Sequence, residues 1–298
     1  MHAQTARRLE PAYDFPLELK GHSGARLELR WLCGTSIVRK TAGTTEQNER
    51  LLRQGEKQRR LTLFGLPLPR VIGEGRDGRD RAFFDMEYVP APTVAAILCE
   101  GRAVDPQSVA EALRRCLALF RLTRSGELPD EGFHAKIDEV AGRCAGNAHT
   151  DLHRDAIAAT AVRLHGYAWN GIPASLGHGD LTLENMLQTP KQTVLIDCDC
   201  AWVSSDWLDL AKMGQDILGH WCLRQLYLAG SPDLPTALER LAGLKPLLDE
   251  LAQECDPALP ARLPQLAALH LLRTLPYVRD EKVAGFVLAR ISHVLSAG

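Results

Sequence analysis

Two short apolar runs, Ala174-Ser175-Leu176 and Val194-Leu195-Ile196, flank the polar stretch His178-Gly179-Asp180-Leu181-Thr182-Leu183-Glu184-Asn185 and lead into Asp197-Cys198-Asp199. Each run reads as buried backbone that delivers a carboxylate at its end, so the positions of Asp180 and Asp197 are tied to two pieces of core. An Asp, an Asn five residues on, and an Asp at the end of a buried-type strand form an arrangement for handling phosphate and a divalent ion. The first carboxylate can accept a proton from a hydroxyl. The Asn oxygen and the second carboxylate are hard oxygen ligands suited to Mg²⁺.

The same residues resemble the catalytic loop and metal-binding strand of the aminoglycoside phosphotransferase and choline kinase-like small-molecule kinases. The resemblance runs through His178-Gly179-Asp180 with Asn185, then Ile196-Asp197-x-Asp199, then Asp206-Trp207-x-Asp209-Leu210-Ala211. Protein kinases carry His-Arg-Asp and Asp-Phe-Gly at the corresponding places. Here Gly179 stands for the Arg, and Cys198-Asp199 follows Asp197, which points to the small-molecule branch. No Ala-Pro-Glu segment follows Asp197, so nothing resembles the peptide-docking segment of a protein kinase. The resemblance implies an α+β, two-lobed protein-kinase-like fold. Residues 1–89 would form a nucleotide-binding N-lobe, an antiparallel sheet with one helix. Residues 90–298 would form a larger, mainly helical lobe with the catalytic loop, the metal site and the acceptor-binding helices.

The 298 residues suit two lobes or one large domain. A hydrophobic content of 45% and a charged content of 24% are those of an ordinary globular enzyme. A net charge of -2 offers no footprint for nucleic acid or an anionic membrane surface. No window has the roughly 18 apolar residues of a membrane span, and residues 1–15 lack the apolar run of a signal peptide. The eight cysteines show no zinc-type spacing, and Cys198-x-Cys200 is too close for an ordinary structural pair. They read as reduced, packed thiols of a cytoplasmic protein.

Phe15–Lys20 and Ala25–Leu32 alternate apolar and polar residues as half-buried strands do, with Gly21-His22-Ser23-Gly24 as the turn. Gly21-x-Ser23-x-Ala25 resembles the nucleotide-covering loop of the family, which implies Ser23 as a phosphate contact. Ser36–Lys40 reads as a third strand. Adjacent strand residues face opposite ways, so only one of Arg39 and Lys40 can face a site. The family places a lysine there on the α- and β-phosphates, which selects Lys40. Thr44–Leu61 reads as a helix opened by a Thr44-x-x-Gln47 capping box. Leu52 and Glu56 share a face of it, and the resemblance implies an inward Glu56 that holds Lys40. Arg53, Lys57, Arg59 and Arg60 read as a solvated basic face.

Leu66–Ile72 and Arg81–Val89 supply two more expected strands around an Asp77-Gly78 turn. Met86-Glu87-Tyr88-Val89 before Pro90 resembles the family's hinge, which implies Met86 and Tyr88 at the adenine; ordinary core packing of Met86 is compatible with that. Thr93–Glu100, Gln107–Ser125 and Asp151–His165 have helical periodicity, and residues 126–150 have no clear pattern. By resemblance, Asp209 is a buried brace for the catalytic loop and His178 a similar one. Asp199 is either a ligand of a second ion or a surface carboxylate. Leu223–Leu228, Pro235–Leu251 and Pro264–Leu295 read as broken helices.

The expected activity is therefore an ATP- and Mg²⁺-dependent transfer of the γ-phosphate to a hydroxyl of a small molecule: a sugar, an amino alcohol or an aminoglycoside-like compound. Asp180 is the expected base, and Asn185 and Asp197 the metal ligands. The near balance of acidic and basic residues over the last fifty positions argues against a polycationic acceptor. The alternative is a catalytically weak pseudokinase or a nucleotide-binding regulatory protein. No nucleic-acid partner and no membrane insertion are expected.

Overall fold

The computed structural model describes residues 17–19, 24–32, 34–200 and 202–297. They divide into two compact units. One consists of residues up to 59 together with 69–89, and the other of 60–68 together with 90–298.

The first unit is a five-stranded antiparallel sheet with one helix. Its strands are β1 (Leu17–Leu19), β2 (Arg26–Leu32), β3 (Thr35–Thr41), β4 (Val71–Arg76) and β5 (Ala82–Glu87), in the order β1-β2-β3-β5-β4. The helix is α1 (Asn48–Leu63), entered through a 3-10 turn at Thr45–Gln47. The expected capping box does not form. Gln47 Oε1 accepts from the Gly43 N–H at 3.1 Å, while the Thr44 side chain makes no cap bond. The expected strand over Leu66–Ile72 begins only at Val71. Pro67 and Pro69 cannot donate to a ladder, and the Pro67 carbonyl instead accepts from the Leu195 N–H at 2.7 Å.

Register gives the sheet two unlike faces. Arg39 lies opposite Glu28 and Asp85, whereas Lys40 lies opposite Leu27 and Phe84. Val38, Phe84, Met86 and Leu51 form the small core of this unit, so Lys40 shares the apolar, helix-covered face. A Cβ on Gly55 would stand 3.1 Å from the Phe84 ring, which shows how closely α1 lies on the sheet there.

The second unit is mainly helical. Its helices are α2 (Val94–Cys99), α3 (Pro106–Leu122), α4 (Asp130–Cys144), α5 (Arg154–His165), α6 (Asp206–Ile217), α7 (Arg224–Ala229), α8 (Leu234–Ala242), α9 (Lys245–Cys255), α10 (Leu259–Leu272) and α11 (Glu281–Ala297). Between α5 and α6, the strands β6 (Met186–Gln188) and β7 (Thr193–Leu195) form a two-stranded antiparallel ribbon. Residues 126–150, which have no clear sequence pattern, contain α4. Its buried side chains Phe133, Ile137, Val140 and Cys144 keep a narrow helical stripe among many charges. The α+β architecture expected from the sequence is present; among the described residues, the strands of the large sheet lie in the first unit and ten of eleven α-helices in the second. Among the described residues, no helix is long and apolar enough to cross a membrane.

Candidate active site

The loop after residue 177 is held by one face of α6. Ser205 caps that helix by accepting the Trp207 N–H. Asp209, in its first turn, accepts the His178 N–H at 2.5 Å and the Gly179 N–H at 2.8 Å. One turn on, Lys212 Nζ is 3.1 Å from Asp180 Oδ1. One turn further, Asp216 accepts the Leu183 N–H at 2.6 Å. Positions i, i+3 and i+7 share one stripe of a helix, so a single rigid element fixes the loop at three successive points. Burial, reinforced by Glu184, pushes the pKa of the Asp216 carboxyl up to about 7. Gly179 has φ 93°, in the left-handed region that a side chain disfavours, which accounts for glycine between His178 and Asp180.

Backbone bonds zip the two halves of the motif together. The Asp199 N–H donates to the His178 carbonyl at 3.0 Å, and the Ile196 N–H to the Asn185 carbonyl at 2.9 Å. Asn185 Nδ2 donates to the Asp180 carbonyl at 2.8 Å and to Asp180 Oδ2 at 2.9 Å. Asp180 is thus held at both carboxylate oxygens, by an amide and an ammonium, and stays 34% exposed at its side chain, open to a reactant. Because Asn185 uses its nitrogen on Asp180, its oxygen is left as a hard donor. Asp197, two residues past β7, has φ 60°, a conformation rare for a non-glycine residue and one that collects at functional sites. Asn185 and Asp197 offer only oxygen, which fits a hard cation that retains water and takes few protein ligands. Among the described residues, no group of three or more His, Cys, Asp or Glu side chains is gathered that could by itself hold a metal ion.

Gly177 is a spatial requirement of this brace. A Cβ there would come within 2.7 Å of Asp209 Oδ2. Gly177→Ala is expected to destabilise the protein by about 1–3 kcal/mol and to lower turnover as the loop shifts. Thermal unfolding read beside kcat checks this, and an unchanged melting temperature would contradict it.

In the first unit, the Arg39 guanidinium makes two bonds to Asp85, both 2.7 Å, and lies 3.6 Å over the Phe83 ring. Lys40 is 3% exposed on the opposite face. Glu56 corrects an expectation: its side chain is 58% exposed and pairs with Arg59 at 2.9 Å, not with Lys40. The inward stripe of α1 is Leu51, Gln54, Gly55 and Gln58. Two buried glutamines disguise that stripe as polar, so the Leu52–Glu56 face was misread as the inner one. Gln58 Nε2 reaches the Pro69 carbonyl at 2.8 Å and the Met86 sulfur at 3.5 Å, so Met86 is packed under the helix. Tyr88 is exposed. Ser23, the expected phosphate contact, lies outside the described residues.

Three residues absent from the expected site stand beside its loop. Lys212 is the first. Its signal was its position one turn after the bracing Asp209. Trp202 and Arg273 are the others: with Gly179, Ser204, Leu208, Asp209 and His270 they line a small cleft. No local motif marks them, because they come together only through packing of the elements on which they lie.

The Asp180 carboxylate is thus braced at its loop's end with Asn185 bonded to it, and Asp197 follows the ribbon at a positive φ. The family described as "Phosphotransferase enzyme family" matches residues 18–231, and the chain belongs to it. It is accordingly an enzyme, a phosphotransferase acting on small molecules. Solved structures give the same fold. A thermostable mutant of aminoglycoside phosphotransferase APH(4)-Ia, in ternary complex with ADP and hygromycin B, has a TM-score of 0.64 and 16% identity, over 96% of this chain and 94% of that one. A glucosamine kinase has a TM-score of 0.59 and 12% identity over 94% and 93%. Aminoglycoside phosphotransferase APH(3'')-Id from Streptomyces rimosus has 0.51 and 17% over 94% and 92%. A comparison with curated protein sequences gives no match.

Proposed function

We propose that the chain transfers the γ-phosphate of ATP, with Mg²⁺, to a hydroxyl group of a small molecule. The observation that carries this reading is the Asp180 carboxylate, held open between Asn185 and Lys212 on a loop braced by α6. Phosphoryl transfer asks a protein mainly for positioning and charge stabilisation. Asp180 accepts the acceptor's hydroxyl proton and fixes the line of attack. Lys212 keeps that carboxylate in place. Asn185 and Asp197 hold Mg²⁺, which neutralises phosphate charge when bound. Lys40 binds the α- and β-phosphates, and residues 1–89 serve the nucleotide, with Met86 and Tyr88 at the adenine and Ser23 at the phosphates. Residues 90–298 serve the acceptor. The experiment is ADP release from ATP with and without Mg²⁺ across a panel of hydroxyl compounds. Absence of Mg²⁺-dependent turnover with every acceptor, and of slow hydrolysis without one, would leave a nucleotide-binding regulator as the reading.

The two faces of the sheet give a prediction for the cation on β3. Lys40→Ala is expected to lower kcat/KM for ATP by about 10² or more, the scale of a lost charge-assisted contact to phosphate. Arg39→Ala should act mainly on stability, since its partner Asp85 would be left buried without a counter-charge. Glu56→Ala should leave kcat/KM within about twofold, as exposed positions usually do. Steady-state kinetics beside thermal melts decide this. A larger kinetic loss from Arg39→Ala than from Lys40→Ala would overturn the assignment.

A further inference from the structure

The cleft beside Asp180 carries a charge that the reaction itself does not use. Its wall is the Trp202 ring, with the edge of Phe133 5.2 Å behind it and two cations on it, Arg273 and Lys136, each 5.8 Å from the ring centroid. Lys136 is paired with Glu139 at 2.6 Å, and Lys212 with Asp180 at 3.1 Å. Arg273 differs. It is half-buried, its Nη1 lies 3.0 Å from His270 Nδ1, and among the described residues no carboxylate reaches its guanidinium within 4.0 Å. His270 offers no counter-charge. It is buried, and burial, with Arg273 and Lys212 nearby, pulls its pKa well below the ordinary range. The carboxylates whose charge acts on Arg273 are Asp180, Asp199 and Glu139; Asp180 and Glu139 are already paired with lysines. A guanidinium drawn out of water without an ion pair costs free energy that a bound oxyanion recovers through two parallel bonds. A polycationic acceptor would meet this cation, and a neutral one would leave it unpaired.

We propose that this cleft holds the acceptor by an anionic group, a carboxylate or a phosphate ester, which Arg273 binds while the acceptor's hydroxyl lies at Asp180. The role of Asp180 rests on the function proposed above; the anion site does not. Substrates of this enzyme are therefore hydroxyl compounds that carry a negative charge, and amino sugars are poor ones.

The test uses one hexose skeleton in four forms: glucose, gluconate, glucose 6-phosphate and glucosamine. Binding to the whole protein is measured by calorimetry with Mg²⁺ and a non-hydrolysable ATP analogue, and again without nucleotide. Gluconate or glucose 6-phosphate should bind about tenfold or more tightly than glucose and glucosamine, the scale of a charge-assisted pair. The better of the two names the anion as carboxylate or phosphate. In Arg273→Gln the advantage should fall to within about twofold, and Arg273→Lys, which keeps the charge but not the fork, should keep part of it. Melting curves confirm that both variants fold. Equal binding of all four compounds, tighter binding of glucosamine, or an advantage that survives Arg273→Gln would each overturn the proposal. Failure of the kinase reading looks different: the anion preference persists, while Mg²⁺-dependent ADP release stays absent.

Discussion

Asp180→Asn is expected to lower kcat by about 10²–10⁴, the range a positioned general base contributes, while the affinity for nucleotide stays within about twofold. An amide has nearly the shape of the carboxylate and can still meet Asn185, but it cannot take up a hydroxyl proton and offers Lys212 no charge. The pairing also predicts how the losses combine. Lys212→Met should cost roughly tenfold by releasing the carboxylate from its place. The double variant should be little worse than Asp180→Asn alone, because residues that act as a unit are non-additive. Single-turnover measurements with saturating acceptor separate chemistry from binding. Unchanged turnover in Asp180→Asn would remove this residue from the reaction, and strictly additive losses would show that Lys212 acts elsewhere.

Residues 178–199 were legible as a candidate site because their chemistry is local. Gly179 is required by its positive φ, Asn185 by its two bonds to Asp180, and the separation of Asp180 from Asp197 by the ribbon β6–β7 between them. The Asp209 brace was legible too, since its two backbone bonds are what the resemblance implied. The phase of α1 was not. Burial of Gln54 and Gln58 breaks the link between apolar side chain and inner face on which periodicity depends, and Glu56 was assigned to the wrong side in consequence. In α4 the reverse held: its apolar stripe is present, but the N-cap is Pro129, which has no side-chain acceptor, so only the acidic first turn, Asp130 and Glu131, marked the start of the helix. The chain between β6 and Arg273 is eighty-odd residues long, and no short-range pattern can bring Arg273 to Trp202. That juxtaposition belongs to the packed second unit alone.

Asp197→Ala is expected to abolish Mg²⁺-dependent tightening of nucleotide binding and, with it, turnover, a loss as large as that of Asp180→Asn or larger. Asn185→Ala should act in the same direction and more weakly, because a neutral amide oxygen contributes less to a divalent cation than a carboxylate does. The conformation of Asp197 sharpens the expectation. A non-glycine residue at φ 60° carries a cost of the order of 1–3 kcal/mol, and a chain keeps such a conformation where the surrounding bonds hold it. Here the Ile196 and Asp199 N–H groups, on either side, are tied to Asn185 and His178. The alanine variant therefore keeps the same forced backbone and loses only the carboxylate, so the fold should survive and the metal dependence should not. Titrating Mg²⁺ against fluorescent nucleotide, beside thermal unfolding in the absence of both, reads the two separately. Metal dependence that persists in Asp197→Ala with an intact fold would assign the cation to other oxygens. Gly at the same position, which relaxes the φ 60° strain, should raise the melting temperature while losing the metal response as completely as Ala.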